Sequence, residues 1–384
     1  MIAELGDAVR QRFDSMVALR RDFHRHPELG FGEHRTAEIV AERLHRAGLE
    51  VTTGVAGTGV VGVLRCDRPG RTIAWRADMD ALPLHEAVDV EFASQTAGVM
   101  HACGHDGHTA IALTVAELLA ERRAHLPGTA VFVFQPAEEL LAGAQRMFDA
   151  HVLDGVDEIY GLHLVSRLAA GTVELAPGTA MASADFFDIA VRGRGGHGAS
   201  PHLAIDPIVI ASHLVVGLQQ LVASTIASGD AAVLSIGEFA AGSARNIIPD
   251  SAVLRGSLRT LRSADRRALL DRITTYIAGI AAAHRGSATL ELVGDSCPAL
   301  HNHAEPLERV QRCCVDPVVA GGAVLASDDM SVFLAARPGC YFRVGAAPAS
   351  GETAHHTTTF AIDESSLAVG ARTAAAVLVD SLAK

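Results

Sequence analysis

The 384-residue chain is short of aromatic side chains: Phe, Trp and Tyr make up 4% of it, with a single tryptophan. Its core must therefore be built mainly from Ala, Val and Leu. Basic charge is also scarce, with 32 Lys and Arg against 44 Asp and Glu and a formal net charge of −12. That excess of acid argues against nucleic acid or an anionic membrane as the main partner. The first twelve residues lack the apolar core of about 7–15 residues that a secretory signal carries. No uninterrupted run of ~18 apolar residues is present to span a membrane. The six cysteines, Cys66, Cys103, Cys297, Cys313, Cys314 and Cys340, form no Cys-x-x-Cys pair and no regular framework. The expected setting is a reducing cytoplasm. Adjacent Cys313 and Cys314 read as buried small hydrophobes.

The length is large for one hydrophobic core, so two domains are expected. Periodicity predicts helices over 7–25, 34–48 and 106–125, and strands over 58–64, 72–75, 129–134 and 156–162. Alternating strands and helices imply an α/β fold with a mostly parallel sheet. The middle of the chain reads differently: strand 186–191, helix 206–222, strands 232–239 and 252–260, helix 263–284, strand 288–293. Asp206-Pro207 and Ser263 are the expected helix starts. This β-α-β-β-α-β order is ferredoxin-like. It predicts an inserted α+β domain over 183–297, with 1–182 and 298–384 closing one catalytic domain.

Four segments carry donors at strand ends or helix starts. They are Arg76-Ala77-Asp78-Met79-Asp80, His101-Ala102-Cys103-Gly104-His105-Asp106-Gly107-His108, Gln135-Pro136-Ala137-Glu138-Glu139 and Gly161-Leu162-His163. In open α/β sheets, ligand sites form beyond the carboxyl ends of the strands, where these segments would converge. A sulfur, imidazoles and carboxylates so grouped suit zinc, manganese, cobalt or nickel better than calcium or magnesium. In Glu138-Glu139, one carboxylate can bind metal while the other moves a proton. Cys103 reads as a ligand, with a nucleophile or an inert core thiol as alternatives. His105 goes with it, while His101 and His108 are left as supporting or surface residues. His163, at a strand end, reads as a further ligand. Near the C-terminus, the adjacent His355 and His356 precede Asp363-Glu364.

With these motifs, and with Gly-Gly-His-Gly-Ala-Ser-Pro-His (195–202) and Asn-Ile-Ile-Pro-Asp (246–250), the chain resembles the N-acyl-amino-acid amidohydrolases. These include hippurate hydrolase and the indole-acetyl-amino-acid hydrolases, within the clan of dinuclear metallo-aminoacylases and carboxypeptidases. The resemblance implies two divalent metal ions per subunit, Mn, Zn, Co or Ni, held by Cys103, His105, Glu139, His163 and His356, with His355 as the fallback for the last. It implies Glu138 as general acid/base and His197 in the inserted lid or dimerisation domain as a catalytic residue, often supplied by a partner subunit. Asn246 and Arg259 would bind the substrate, an N-acyl amino acid, and the enzyme would be a homodimer or higher homo-oligomer. The chain departs from the pattern at Trp75, at Leu140-Leu141-Ala142-Gly143-Ala144 after the paired glutamates, at Ser327-Asp328-Asp329-Met330 and at Thr358. None of these removes an expected ligand. Two rival activities remain open at this point: a metallo-dipeptidase or aminopeptidase, and an amidase using Cys103 as nucleophile.

Overall fold

The computed structural model describes residues 2–227, 230–351 and 353–383. The chain forms two compact units: residues 1–180, 301–322 and 328–384, and residues 181–300 and 323–327.

The large unit is built on an eight-stranded sheet. Its four central strands run in the order Pro127–Gln135, Arg68–Asp78, Glu158–Ala169 and Gly339–Ala347, all parallel. The first two are almost wholly buried toward their carboxyl ends, and the third over its first five residues, as expected for strands covered on both faces. Antiparallel strands Glu50–Val55 and Gly59–Arg65 extend one side, beside Pro127–Gln135. Register sets Asp78 opposite Gln135, Arg76 opposite Gly161, and Arg343 opposite His163. The polar residues that follow these apolar runs are therefore delivered to one end of the sheet.

Helix His105–Ala120 is buried all round apart from Glu117, and it packs against helices Ser365–Leu382 and Phe13–Arg25. Its N-cap is Gly104 with φ of 93°, a left-handed conformation that a side chain would resist. That turn is what aims the helix's first residues at the strand ends. The expected helix 7–25 is two helices, Ile2–Gln11 and Phe13–Arg25, broken at Arg12. The expected strand 72–75 is longer, Arg68–Asp78. Its apolar run stops at Trp75, but Arg76 and Asp78 stay buried because they are paired with each other.

The small unit has a four-stranded antiparallel sheet in the order Ala232–Ala241, Ser251–Thr260, Ser183–Arg192, Ser287–Cys297. Helices Pro207–Thr225 and Ser263–Ala283 supply Ile210, Leu214, Leu218, Leu269, Ile273 and Ile277 to its core. Asp206 caps the first, its carboxylate accepting from the Ile208 amide at 2.9 Å. Ser263 is the first helical residue of the second, and the cap position falls on Arg262 without a side-chain bond. By length and composition alone, helix Pro207–Thr225 could cross a membrane, although four of its apolar residues lie in this core. No disulfide links the six cysteines.

Candidate metal centre

The site is assembled at the carboxyl end of the large unit's sheet. Strand Arg68–Asp78 ends in Asp78, which is fully buried. Two residues on, the Asp80 carboxylate accepts from the Glu139 amide at 2.9 Å, and its backbone carbonyl accepts from His105 Nδ1 at 2.8 Å. The turn after strand Pro127–Gln135 carries Glu138 and Glu139, with Ala137 and Leu141 both in the left-handed region. Gly143 closes this turn: a Cβ there would lie 1.6 Å from the Pro136 carbonyl oxygen. From the C-terminal segment, the His356 amide donates to the Ala102 carbonyl at 2.9 Å. His356 itself adopts φ of 59°, which sends consecutive histidines in different directions.

Metal-capable atoms then crowd together. Cys103, His105 and His163 form one group whose ligand atoms lie within 4.8 Å of one another; so do Cys103, Glu139 and His356, and so do His105, Glu138 and Glu139. All five expected ligands and Glu138 thus come together from four separate segments. His197, Asn246 and Arg259 belong to the small unit. Short strand Gly196–His197 pairs with Ile247–Ile248, with His197 opposite Ile247, and the Gly198 amide donates to the Asn246 carbonyl at 2.9 Å. His197 and Asn246 are therefore neighbours there, and both are exposed. Arg259 is on a different strand and donates to Ser327 Oγ at 2.8 Å.

The second nitrogen of each ring decides what the first can do, because a neutral imidazole has one N–H and one lone pair. His105 Nδ1 must donate to the Asp80 carbonyl, which leaves the Nε2 lone pair facing the cluster. His163 Nδ1 likewise donates to the Leu164 carbonyl at 2.8 Å, and its Nε2 lies 3.5 Å from Cys103 Sγ. His108 is different. Its Nδ1 donates to Asp78 at 2.6 Å and its Nε2 accepts the Leu164 amide at 2.9 Å, so it has no lone pair to offer. It ties helix, strand and strand together beneath the site. His101 is fully buried with neither nitrogen hydrogen-bonded, and burial lowers it to about 4.

Buried donors without partners mark where cations fit. His105 Nε2 is buried without a hydrogen bond. So is Glu139 Oε1, although His356 Nε2 lies 3.2 Å away in poor alignment. Such orphans are costly unless a partner occupies the space between them. Sulfur, imidazole and carboxylate in one cluster fit a pair of borderline divalent ions.

Protons occupy the cluster otherwise. Burial pushes the Glu138 carboxyl well above the ordinary glutamate range, and Asp328, Glu139 and Asp329 push the same way. Burial, then Glu139, raises the Cys103 thiol. Burial opposes a proton on His105, but Asp78 and Cys103 outweigh it and hold the ring well above its usual value. The neighbouring Cys103 and Glu139 raise His356 to about 10. Burial drives His163 down, with His108 and His355 adding to it. Cations entering here would displace protons, so uptake is favoured by rising pH.

Below the cluster lies a polar network that the sequence reading left without a role. Arg76, fully buried, donates to Asp78 at 2.7 Å, to Asp329 at 2.9 Å and to Gln135 at 2.8 Å. Asp329 also accepts from Gln135 and the Ala144 amide, and Asp328 accepts from Tyr341 at 2.7 Å. A second network joins Arg20, His24, Asp106 and Glu86. The available signal was the charges themselves: arginine or aspartate beside an apolar strand run must be paired if buried.

Residues 74–380 match the peptidase family M20/M25/M40. The chain is 37% identical to thermostable carboxypeptidase 2 of Saccharolobus solfataricus over 378 residues, 97% of this chain and 96% of that protein. It is 36% identical to N-acetylcysteine deacetylase of Bacillus subtilis over 364 residues, 93% and 94% of the two chains. Among solved structures it superposes on Bacillus subtilis YXEP, described as a dinuclear metal-binding peptidase of family M20. The TM-score is 0.85 at 33% identity, covering 97% of this chain and 99% of the other.

Proposed function

Since the chain belongs to peptidase family M20/M25/M40, we propose that it hydrolyses the amide bond of N-acyl amino acids with two divalent cations, releasing a carboxylic acid and a free amino acid. The observation that carries this reading is the meeting of Cys103, His105, Glu139, His163 and His356 around the buried Glu138. Relatives named a carboxypeptidase and an N-acetyl amino acid deacetylase share one kind of scissile bond. In both, the amine half of the amide is an amino acid with a free carboxylate.

We assign Cys103, His105, Glu139, His163 and His356 to holding the cations. Bound there, divalent ions supply polarisation of the amide carbonyl and acidification of water. Glu138 has the environment of a proton carrier: its raised affinity lets it take a proton from the attacking water and return it to the leaving amine. His197 Nδ1 accepts the Ala199 amide at 3.0 Å, so the neutral ring carries its proton on Nε2. We assign that N–H to the carbonyl oxygen as it gains charge. Asn246 is assigned to the substrate amide and Arg259 to its carboxylate. The raised, buried thiol of Cys103 is the opposite of a reactive cysteine, whose proton is held weakly. We also place the enzyme in the cytoplasm, in keeping with six cysteines that form no disulfide, and as a homo-oligomer.

The test is a substrate panel on metal-loaded protein: N-acetyl, N-benzoyl and indole-acetyl amino acids beside dipeptides with free amino termini. Turnover confined to the N-acyl compounds and abolished by a chelator is the expected result. Preference for the dipeptides would make the chain an aminopeptidase or dipeptidase. Activity indifferent to chelation but lost on alkylation would return the chemistry to Cys103.

A further inference from the structure

Of the adjacent histidines, His355 also reaches Cys103, but with a different nitrogen chemistry from a ligand's. Its Nδ1 lies 3.6 Å from the Cys103 sulfur. Its Nε2 lies 3.2 Å from the backbone nitrogen of Ser166. A backbone amide can only donate, so Nε2 is the acceptor and the neutral ring carries its hydrogen on Nδ1. The nitrogen facing sulfur is therefore an N–H, whereas His105 and His163 present lone pairs from the same kind of backbone constraint. Ser166 is itself fixed, its hydroxyl donating to the Thr353 carbonyl at 2.6 Å, two residues before His355. Phe360 packs on the ring, with centroids 4.9 Å apart.

We propose that His355 is a positioning residue that hydrogen-bonds the Cys103 sulfur through Nδ1–H and tunes its donation to the metal pair. This rests on the metal-centre reading above. A thiolate receiving an N–H bond is a weaker electron donor than a bare one, and its direction is fixed. His355 is thereby excluded as a ligand as long as the Ser166 amide holds Nε2. Partners of this kind, one shell out from the metal, typically change affinity about 10–100-fold when removed.

The experiment uses the full chain loaded with Co²⁺, whose sulfur-to-cobalt charge-transfer band reports the electron richness of the thiolate. His355→Leu removes the donor. His355→Asn keeps an amide N–H close to the Nδ1 position. The expected result for His355→Leu is a band shifted to lower energy, because the bare sulfur is the richer donor, together with a roughly tenfold or greater rise in the cobalt Kd, because the loss of the fixed sulfur direction outweighs that gain, with the band restored toward its original position in His355→Asn. An unmoved band in His355→Leu would overturn the hydrogen bond while leaving the metal centre intact. Loss of a full equivalent of cobalt would make His355 a ligand and overturn it equally. Absence of any charge-transfer band in the unaltered protein would remove Cys103 from the coordination sphere, and with it both this inference and the ligand set beneath it.

Discussion

Glu138 shows how one side chain's surroundings set its task. It is 6% exposed, and Asp328, Asp329 and Glu139 all add negative charge around it. Its affinity for a proton is raised above that of a glutamate in an unfolded chain. The metal-free folded protein therefore holds this proton to higher pH than the unfolded chain does, and stability falls as pH rises from the unfolded value of about 4.3. In metal-free protein, Glu138→Gln should raise the melting temperature at neutral pH, with the gain shrinking toward zero below about pH 4. The same substitution should leave cation content unchanged and cut kcat about 10²–10⁴-fold, the usual range for a lost proton carrier. Thermal melts across pH, paired with metal analysis and kinetics, check both parts. A variant that keeps its turnover would take proton transfer away from Glu138. At this scale the sequence was generous about donors and silent about their tautomers. Cys103, His105 and Glu139 stand in recognisable clusters, but whether a ring nitrogen offers a lone pair depends on a carbonyl at Asp80 or Leu164, or an amide at Ser166, which no residue identity encodes.

Among elements, the site depends on turns more than on the strands that feed them. The loop bearing Glu138 and Glu139 folds back so tightly that Gly143 meets the Pro136 carbonyl, and any side chain there must push the loop outward. Gly143→Ala should cost about 1–3 kcal/mol of stability, as overpacking usually does, and should weaken cation binding along with it. Denaturant melts and metal titration measure the two effects. A variant as stable and as tightly metallated as the parent would show that the loop is free to move. The strand that leads to the glutamates was readable because Ala130 to Phe134 is continuously apolar. The extent of Arg68–Asp78 was not, because its last turns replace apolar burial with the Arg76–Asp78 pair. Nor was the break at Arg12: neither proline nor glycine marks it, and the residue instead reaches across to Glu121.

For the molecule as a whole, the small unit carries features that its own core does not use. Among the described residues its sheet ends on strand Ala232–Ala241, with no further strand beyond it. Helix Pro207–Thr225 leaves Ile208, Val209 and Val216 exposed, the last at 74%. Open edges and apolar surface together are what a second copy of the chain would cover. Val216→Asp should shift the mass found by light scattering from oligomer toward monomer without changing the fold seen by circular dichroism. An unaltered protein that is already monomeric would refute that arrangement. The antiparallel sheet in the middle of the chain was legible from the switch to β-α-β-β-α-β order, whereas residues 323–327, which cluster with the small unit, are separated in the chain from the rest of it and gave no such signal.

Titrating cations back into chelator-stripped protein, while following both bound metal and hydrolysis of an N-acetyl amino acid, tests the account at its centre. Activity should be negligible at the start and should rise with Mn²⁺, Zn²⁺ or Co²⁺ until about two equivalents per chain are bound, the stoichiometry of a paired site. Full hydrolysis by protein shown to hold no metal would contradict it.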